Sequence, residues 1–407
     1  MIVLGLISGT SVDAIDVAAA GLTWEGDTIV LRPLGHAERP WPEAVRARLI
    51  AALPPAPCSA EELCHLDALA GEAFAEAAAW GDAHLAGGRA SLVASHGQTV
   101  FHWVEGGRAR GTLQIGQPAI IAERTGLPVV SDFRARDIAA GGHGAPLAST
   151  LDALWLAVPP RGHATGHAAG HAAGHAGEGG PRAALNLGGI ANVTLVRRAG
   201  EPVLAFDTGP ANCLMDAEVL AATGRPRDDG GALARAGEVR EDLLSRLLAE
   251  PYYALPPPKS TGRELFRTGY VARHLAGLLP VALPDLVATL AELTARTVAD
   301  ACRAHGVTEV VASGGGTRNP ALMARLAARL APVPLATSEA RGLPADGKEA
   351  YLFALLGFLT WYGVPGTVRG ATGSRAPRVL GRINPGDGPL VLPPPVRAPG
   401  GLRVVRG

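Results

Sequence analysis

The chain has 407 residues, 47% of them hydrophobic and 18% charged, a balance suited to an α/β protein with two sizeable cores. Lys+Arg and Asp+Glu number 37 each, so no net field draws in nucleic acid or an acidic membrane surface. No run of about 18 apolar residues, no basic-then-apolar leader and no CxxC spacing among Cys58, Cys64, Cys213 and Cys302 occurs, so we expect a cytoplasmic protein with free thiols.

The first expected unit is a three-stranded meander. An apolar strand through Gly5-Leu6-Ile7 meets the loop Ser8-Gly9-Thr10-Ser11-Val12-Asp13, and a second strand follows through Ala14-Ile15-Asp16-Val17. A turn at Gly26-Asp27 leads to a third strand, Thr28-Ile29-Val30-Leu31. Helical patterning covers Val45 to Ile50 and then Ser59 to about Ala86, where Ser59 and Glu62 make a capping box. Ser91 to Ser95 reads as a short buried strand ending in His96-Gly97-Gln98-Thr99. A strand at Thr112 to Ile115, a helix through Arg124 and a strand at Pro128 to Ser131 complete the first half. Strands alternating with helices predict a partly parallel sheet with helices on its faces.

Arg161 to Gly180 interrupts the alternation with Gly-His-Ala at His163, His167, His171 and His175. On a helix these imidazoles would share one face and suit zinc or nickel. Gly166, Gly170 and Gly174 recur at the same period and each costs a helix about 1 kcal/mol. The composition therefore reads as a flexible surface insertion between two halves.

Beyond it the meander returns. Ala184 to Leu187 is a strand, Gly188-Gly189 a tight turn and Ile190 to Leu195 a second strand. A third strand from Pro202 to Phe206 runs into Asp207-Thr208-Gly209-Pro210-Ala211-Asn212. We expect helices from Asn212 to Thr223, from about Pro284 to His305 and from Lys348 to Trp361. Val307 to Ala312 is a strand whose turn, Ser313-Gly314-Gly315-Gly316-Thr317-Arg318-Asn319-Pro320, opens another helix. The Pro-rich tail beyond Pro385 reads as an ordered edge or a loose end. Two like meanders imply a duplicated domain.

Three Gly-rich loops thus fall at strand ends, over 8–16, 207–212 and 313–319. Backbone free of Cβ atoms lets amide N–H groups close on phosphates, Thr10 and Ser11 add donors, and the 313–316 turn could lie flush under an adenosine. Neither GxxxxGK[ST] nor a properly placed GxGxxG occurs, which argues against P-loop and Rossmann chemistry. Phosphoryl transfer also needs a cation and a base. Asp13, Asp16 and Asp207 are the carboxylates at these loops, although Asp207-Thr208-Gly209 reads equally well as an Asx-turn holding its own loop.

Leu6 to Asp16, Ser95 to Thr99, Leu113 to Gly116, Asp132 to Leu147, Asn186 to Asn192, Phe206 to Asp216, Pro258 to Phe266 and Gly314 to Asn319 together resemble the anhydro-N-acetylmuramic acid kinase family, in family order. The resemblance implies two duplicated RNase H-like domains of the actin/hexokinase (ASKHA) type with a nucleotide cleft between them. Domain I would take 1–155 and about 366–407, the insertion 156–182 and domain II 183–365. The implied reaction converts 1,6-anhydro-N-acetylmuramic acid, ATP and water to N-acetylmuramic acid 6-phosphate, a step in peptidoglycan recycling.

By the same resemblance Asp207 is the catalytic base. ATP would meet Gly9, Thr10, Ser11, Val12, Asp13, Ala14, Ile15, Asp16, Gly188, Gly189, Thr208, Gly209, Gly314, Gly315, Gly316 and Asn319. The sugar would meet His96, Gln98, Arg136, Asn212, Lys259 and Glu349, and Asp13 would hold Mg²⁺. Arg134 and Arg136 read equally as lactyl-carboxylate contacts or as ion pairs with Asp132 or Asp137. Lys259 precedes Thr261-x-x-Glu264, which is also a capping box. The only expected partners are a small amino sugar and, from the family, a second copy of the chain; no nucleic acid or membrane is expected. Ala14 and Ala211 depart from family glycines, and alanine would be strained there if φ were positive. An actin-like ATP switch and a metal-storage protein built on the His-rich insertion are the competing readings.

Overall fold

The computed structural model describes residues 1–9, 11–157, 180–198, 200–262, 265–266 and 269–405. The four insertion histidines, Thr10 and Glu264 lie outside the described residues.

Val3 to Ser8 are all buried, the pattern of a strand covered on both faces, and they lie in β1 (Ile2–Ser8). β1 pairs antiparallel with β2 (Ala14–Glu25), β2 pairs with β3 (Thr28–Pro40), and β4 (Leu92–Glu105) lies parallel to β1. β5 (Arg108–Ile115) folds back antiparallel on β4, and β6 (Val129–Ser131) lies parallel to β4. In the second half β7 (Arg182–Leu187), β8 (Ile190–Val196) and β9 (Leu204–Pro210) form an antiparallel meander. β10 (Glu309–Ser313) lies parallel to β7 and β11 (Leu335–Thr337) parallel to β10. Finally β12 (Arg382–Asn384) pairs antiparallel with β6, and β13 (Gly401–Val404) runs parallel to β3. The tail beyond Pro385 therefore ends on an ordered edge.

The order β3-β2-β1-β4-β6 in the first sheet is matched by β9-β8-β7-β10-β11 in the second. Each is a meander followed by two parallel strands, the RNase H-like arrangement, built twice. The duplication expected from the glycine turns is present.

The chain divides into two compact units, the first chiefly Met1–Trp155 and Gly342–Gly407, the second chiefly Leu156–Arg198 and Val203–Arg341. The return to the first unit comes at Gly342 rather than near residue 366. The cause is the helix Lys348–Trp361, whose Tyr351, Phe353, Leu355 and Phe358 are buried with Val3, Ala18 and Leu92 of the first sheet. On the other face of that sheet, Leu66 and Phe74 of the helix Ala60–Gly81 pack with Leu4, Leu6 and Val17. Ser59 caps that helix, its hydroxyl accepting the Glu62 N–H at 3.0 Å. The second unit has a single large core around the helix Leu283–Ala304.

One boundary differs in a way that matters for the site. β4 does not stop at Ser95 but continues to Glu105, so His96, Gln98 and Thr99 lie within a strand.

Candidate active site

In the first unit, the loop after β1 is held by its neighbours. Gln98 Nε2 donates to the Gly9 carbonyl (3.1 Å) and Arg46 Nε to the Val12 carbonyl (2.8 Å). Between these bonds Val12 is buried with φ +55°, an uncommon conformation for a β-branched residue. Ala14 does not share it, and Ala211 has φ −114°, so neither alanine carries the strain that a positive φ would bring. Asp13 is exposed, 3.7 Å from the Arg46 guanidinium.

β2 points Asp16 toward three further carboxylates. Glu38 is its direct cross-strand partner on β3, Asp346 comes from the turn before the helix Lys348–Trp361, and Glu349 from its first turn. Burial, then repulsion from Glu38, Glu349 and Asp346, raises the Asp16 carboxyl to about 7. Lys348, beside Glu349, pairs its ammonium with Asp152 at 2.7 Å.

One turn along the same helix, the Phe353 ring lies 4.6 Å from the His96 ring. Arg134 Nε donates to His96 Nε2 at 2.8 Å, which leaves the proton on Nδ1 to donate to the Gly97 carbonyl at 3.0 Å. Burial and then the Arg134 charge hold His96 neutral, well below the usual imidazole range. Burial also lowers Arg134, and the Glu349 and Asp137 charges oppose that shift. His96, Arg134, Glu349 and Asp16 therefore form one electrostatic group within the first unit.

Arg136 is exposed and has no partner among the described residues. The alternative ion pairs do not form. Asp132 pairs with Arg382 at 2.8 Å, and the Asp137 carboxylate accepts from the Gly144 N–H and the Thr372 hydroxyl, each at 2.7 Å. The structure thus brings Arg134, rather than Arg136, to His96.

In the second unit, Asp207 lies on β9 opposite Asn192, beside a bulge at Thr208 of the same strand. Its backbone N–H donates to the Lys259 carbonyl (3.0 Å), its carbonyl accepts from the Tyr252 hydroxyl (2.8 Å), and its Oδ2 accepts from the Thr261 N–H (2.9 Å). Thr208 is buried and its hydroxyl donates to the Ala191 carbonyl at 3.2 Å. Asn212 opens the helix Asn212–Thr223, and its amide donates to the Leu187 and Gly188 carbonyls at 3.1 and 2.9 Å. Those donors tie the helix start to the Gly188-Gly189 turn. Lys259 likewise directs its ammonium to backbone, at the Tyr252 and Tyr253 carbonyls.

The turn after β10 is glycine for a steric reason. Gly314 has φ +87°, and a Cβ there would sit 2.6 Å from Asn186 Oδ1. A 3₁₀ turn at Gly315–Arg318 follows, and Asn319 caps the helix Pro320–Leu330 by accepting the Leu322 N–H at 3.1 Å. The expected sequence of strand, glycine turn and helix is present.

One strand order built twice, each copy with a glycine turn, defines a duplicated RNase H-like α/β protein. A family model described as anhydro-N-acetylmuramic acid kinase matches residues 1–386. A relative of that name from Streptomyces avermitilis is 56% identical over 396 residues, 97% of each chain. One from Streptomyces coelicolor is 54% identical over 411 residues, 100% of each chain. A third, from Rhodococcus erythropolis, is 51% identical over 395 residues, 95% of each chain. The chain belongs to the anhydro-N-acetylmuramic acid kinase family.

Proposed function

We propose that this kinase acts on 1,6-anhydro-N-acetylmuramic acid with ATP and water, with Asp207 as the general base. Asp207 would take a proton from the water that attacks C1. The C1–O6 bond breaks, and O6 takes the γ-phosphoryl group as its bond to the β-phosphate oxygen of ATP breaks. The products are N-acetylmuramic acid 6-phosphate and ADP, which places the enzyme in peptidoglycan recycling. The observation that carries this reading is the anchoring of Asp207: the Thr261 N–H holds its Oδ2, and bonds from its backbone to Lys259 and Tyr252 fix the residue, as a base that must be aimed requires.

In the first unit, Glu349, Gln98 and the His96–Arg134 pair would meet sugar hydroxyls and the lactyl carboxylate. The glycine turns, with Ser11 and Thr208, would meet phosphates, and the 314–316 turn the adenosine. Among the described residues no three His, Cys, Asp or Glu side chains converge as a metal cage. Mg²⁺ needs no such cage, since it is held by one or two carboxylates together with substrate phosphates. The exposed Asp13 fits that role, and the ion would supply neutralisation of phosphate charge. We place the enzyme in the cytoplasm; among the described residues no helix is long and apolar enough to cross a membrane. Homodimerisation is a further expectation from the family.

Asp207→Asn should lower turnover at least about 10³-fold while ATP affinity, measured by calorimetry, stays within a few-fold. Turnover within about ten-fold of wild type would remove Asp207 from the mechanism.

A further inference from the structure

The segment Pro257–Gly262 grips Asp207 from two sides. The Lys259 carbonyl takes the Asp207 N–H, and the Thr261 N–H reaches the carboxylate Oδ2. A neighbouring turn, Pro251–Ala254, supplies the third hold through the Tyr252 hydroxyl on the Asp207 carbonyl. The Lys259 side chain joins segment to turn. Its ammonium donates to the Tyr252 and Tyr253 carbonyls at 3.1 and 2.9 Å and lies 4.8 Å from the centre of the Tyr252 ring. These are charge-assisted bonds, stronger than neutral ones, and a cation–π contact adds to them.

We propose that Lys259 is a positioning residue for Asp207 and not a contact of the sugar: its ammonium ties the 257–262 segment to the 251–254 turn, so that the Thr261 amide keeps a fixed hold on the carboxylate. The proposal rests on the reading of Asp207 as the base. Partial burial lowers the pKa of the amine. Without the tie, the segment is free to drift and the carboxylate loses both its aim and a donor that favours its charged form. Misaim of a base costs turnover rather than substrate affinity.

The test is steady-state kinetics of Lys259→Met and Lys259→Arg from pH 5 to pH 9, with hydrogen exchange at the Thr261 amide. Lys259→Met should lower kcat about 10- to 100-fold with the KM for sugar held within about three-fold. The acid limb of its pH–kcat profile should move to higher pH, and the Thr261 amide should exchange at least about ten-fold faster. Lys259→Arg, which can donate to the same two carbonyls, should restore part of each change. A raised sugar KM with kcat and the acid limb unchanged, or wild-type kinetics, would overturn the proposal. Should Lys259→Met fail to fold, Lys259→Gln keeps a shorter, neutral donor in place of the ammonium; it should lower kcat with KM held, and unchanged kinetics would overturn the proposal equally. Asp207→Asn run alongside separates the two readings. If that variant turns over normally the base assignment has failed, while the Thr261 exchange rate still decides what Lys259 holds.

Discussion

Asp16 and His96 are perturbed in opposite senses, and each sense has a local cause. Asp16 faces Glu38 across a strand pair, with Asp346 and Glu349 close by, so its carboxyl titrates at about 7. His96 is buried against Phe353 and accepts from a guanidinium, so it stays neutral. For Asp16 the folded pKa lies above the unfolded value, so the native state binds more protons across the window from about 4 to 7. Its contribution to stability is present below that window and is lost as pH rises through it. For His96 the folded pKa lies below the unfolded value, so its contribution is lost as pH falls below the usual imidazole range. Comparing wild type with Asp16→Asn cancels the histidine. The variant should gain stability relative to wild type as pH rises from about 4 to 7, read as urea midpoints. Parallel curves would show that Asp16 is unperturbed. Little of this is legible in the sequence, because the four carboxylates come from two strands, a helix and the turn before it. The choice between Arg134 and Arg136 is equally hidden: two like residues sit two apart, and only the fold decides which one reaches His96.

The helix Lys348–Trp361 is the element on which the proposed sugar contacts of the first unit depend, since it carries Glu349 and Phe353. It lies flush on β1 because β1 has no side chain at Gly5. A Cβ there would overlap the Ala350 carbonyl and sit 2.7 Å from the Ala354 nitrogen. Gly5→Ala should therefore destabilise the protein by about 1–3 kcal/mol and raise the sugar KM by displacing the helix. Gly21→Ala on β2 is the control, because its new Cβ would come no nearer than 3.6 Å to Arg32. Equal urea midpoints for the two variants would contradict this packing account. The helix itself, like Asn212–Thr223, is readable to the residue from its apolar pattern and its flanking residues. Its membership of the first unit is not, since its packing partners lie some three hundred positions earlier in the chain. The full length of β4 is hidden too. His96-Gly97-Gln98-Thr99 has the composition of a turn, yet the strand runs on because β5 supplies a partner beyond Gln98.

At the scale of the whole chain, the duplication is the feature most open to reading from sequence. Two meanders closed by glycine turns predict the same strand order twice, and both sheets have it. Glycine spacing also locates the loops that the family's chemistry would use, whereas the anchoring of Asp207 by the 257–262 segment depends on residues about fifty positions away. The central claim is that one reaction both opens the 1,6-bridge with water and phosphorylates O6. The most direct test is mass spectrometry of the products formed from 1,6-anhydro-N-acetylmuramic acid and MgATP in ¹⁸O-labelled water. Samples are quenched early, and authentic N-acetylmuramic acid 6-phosphate serves as the control for exchange at C1. We predict a phosphorylated sugar with one ¹⁸O at C1 and none in its phosphate. Label appearing in inorganic phosphate, with the sugar unchanged, would contradict the account and leave an ATPase without this acceptor.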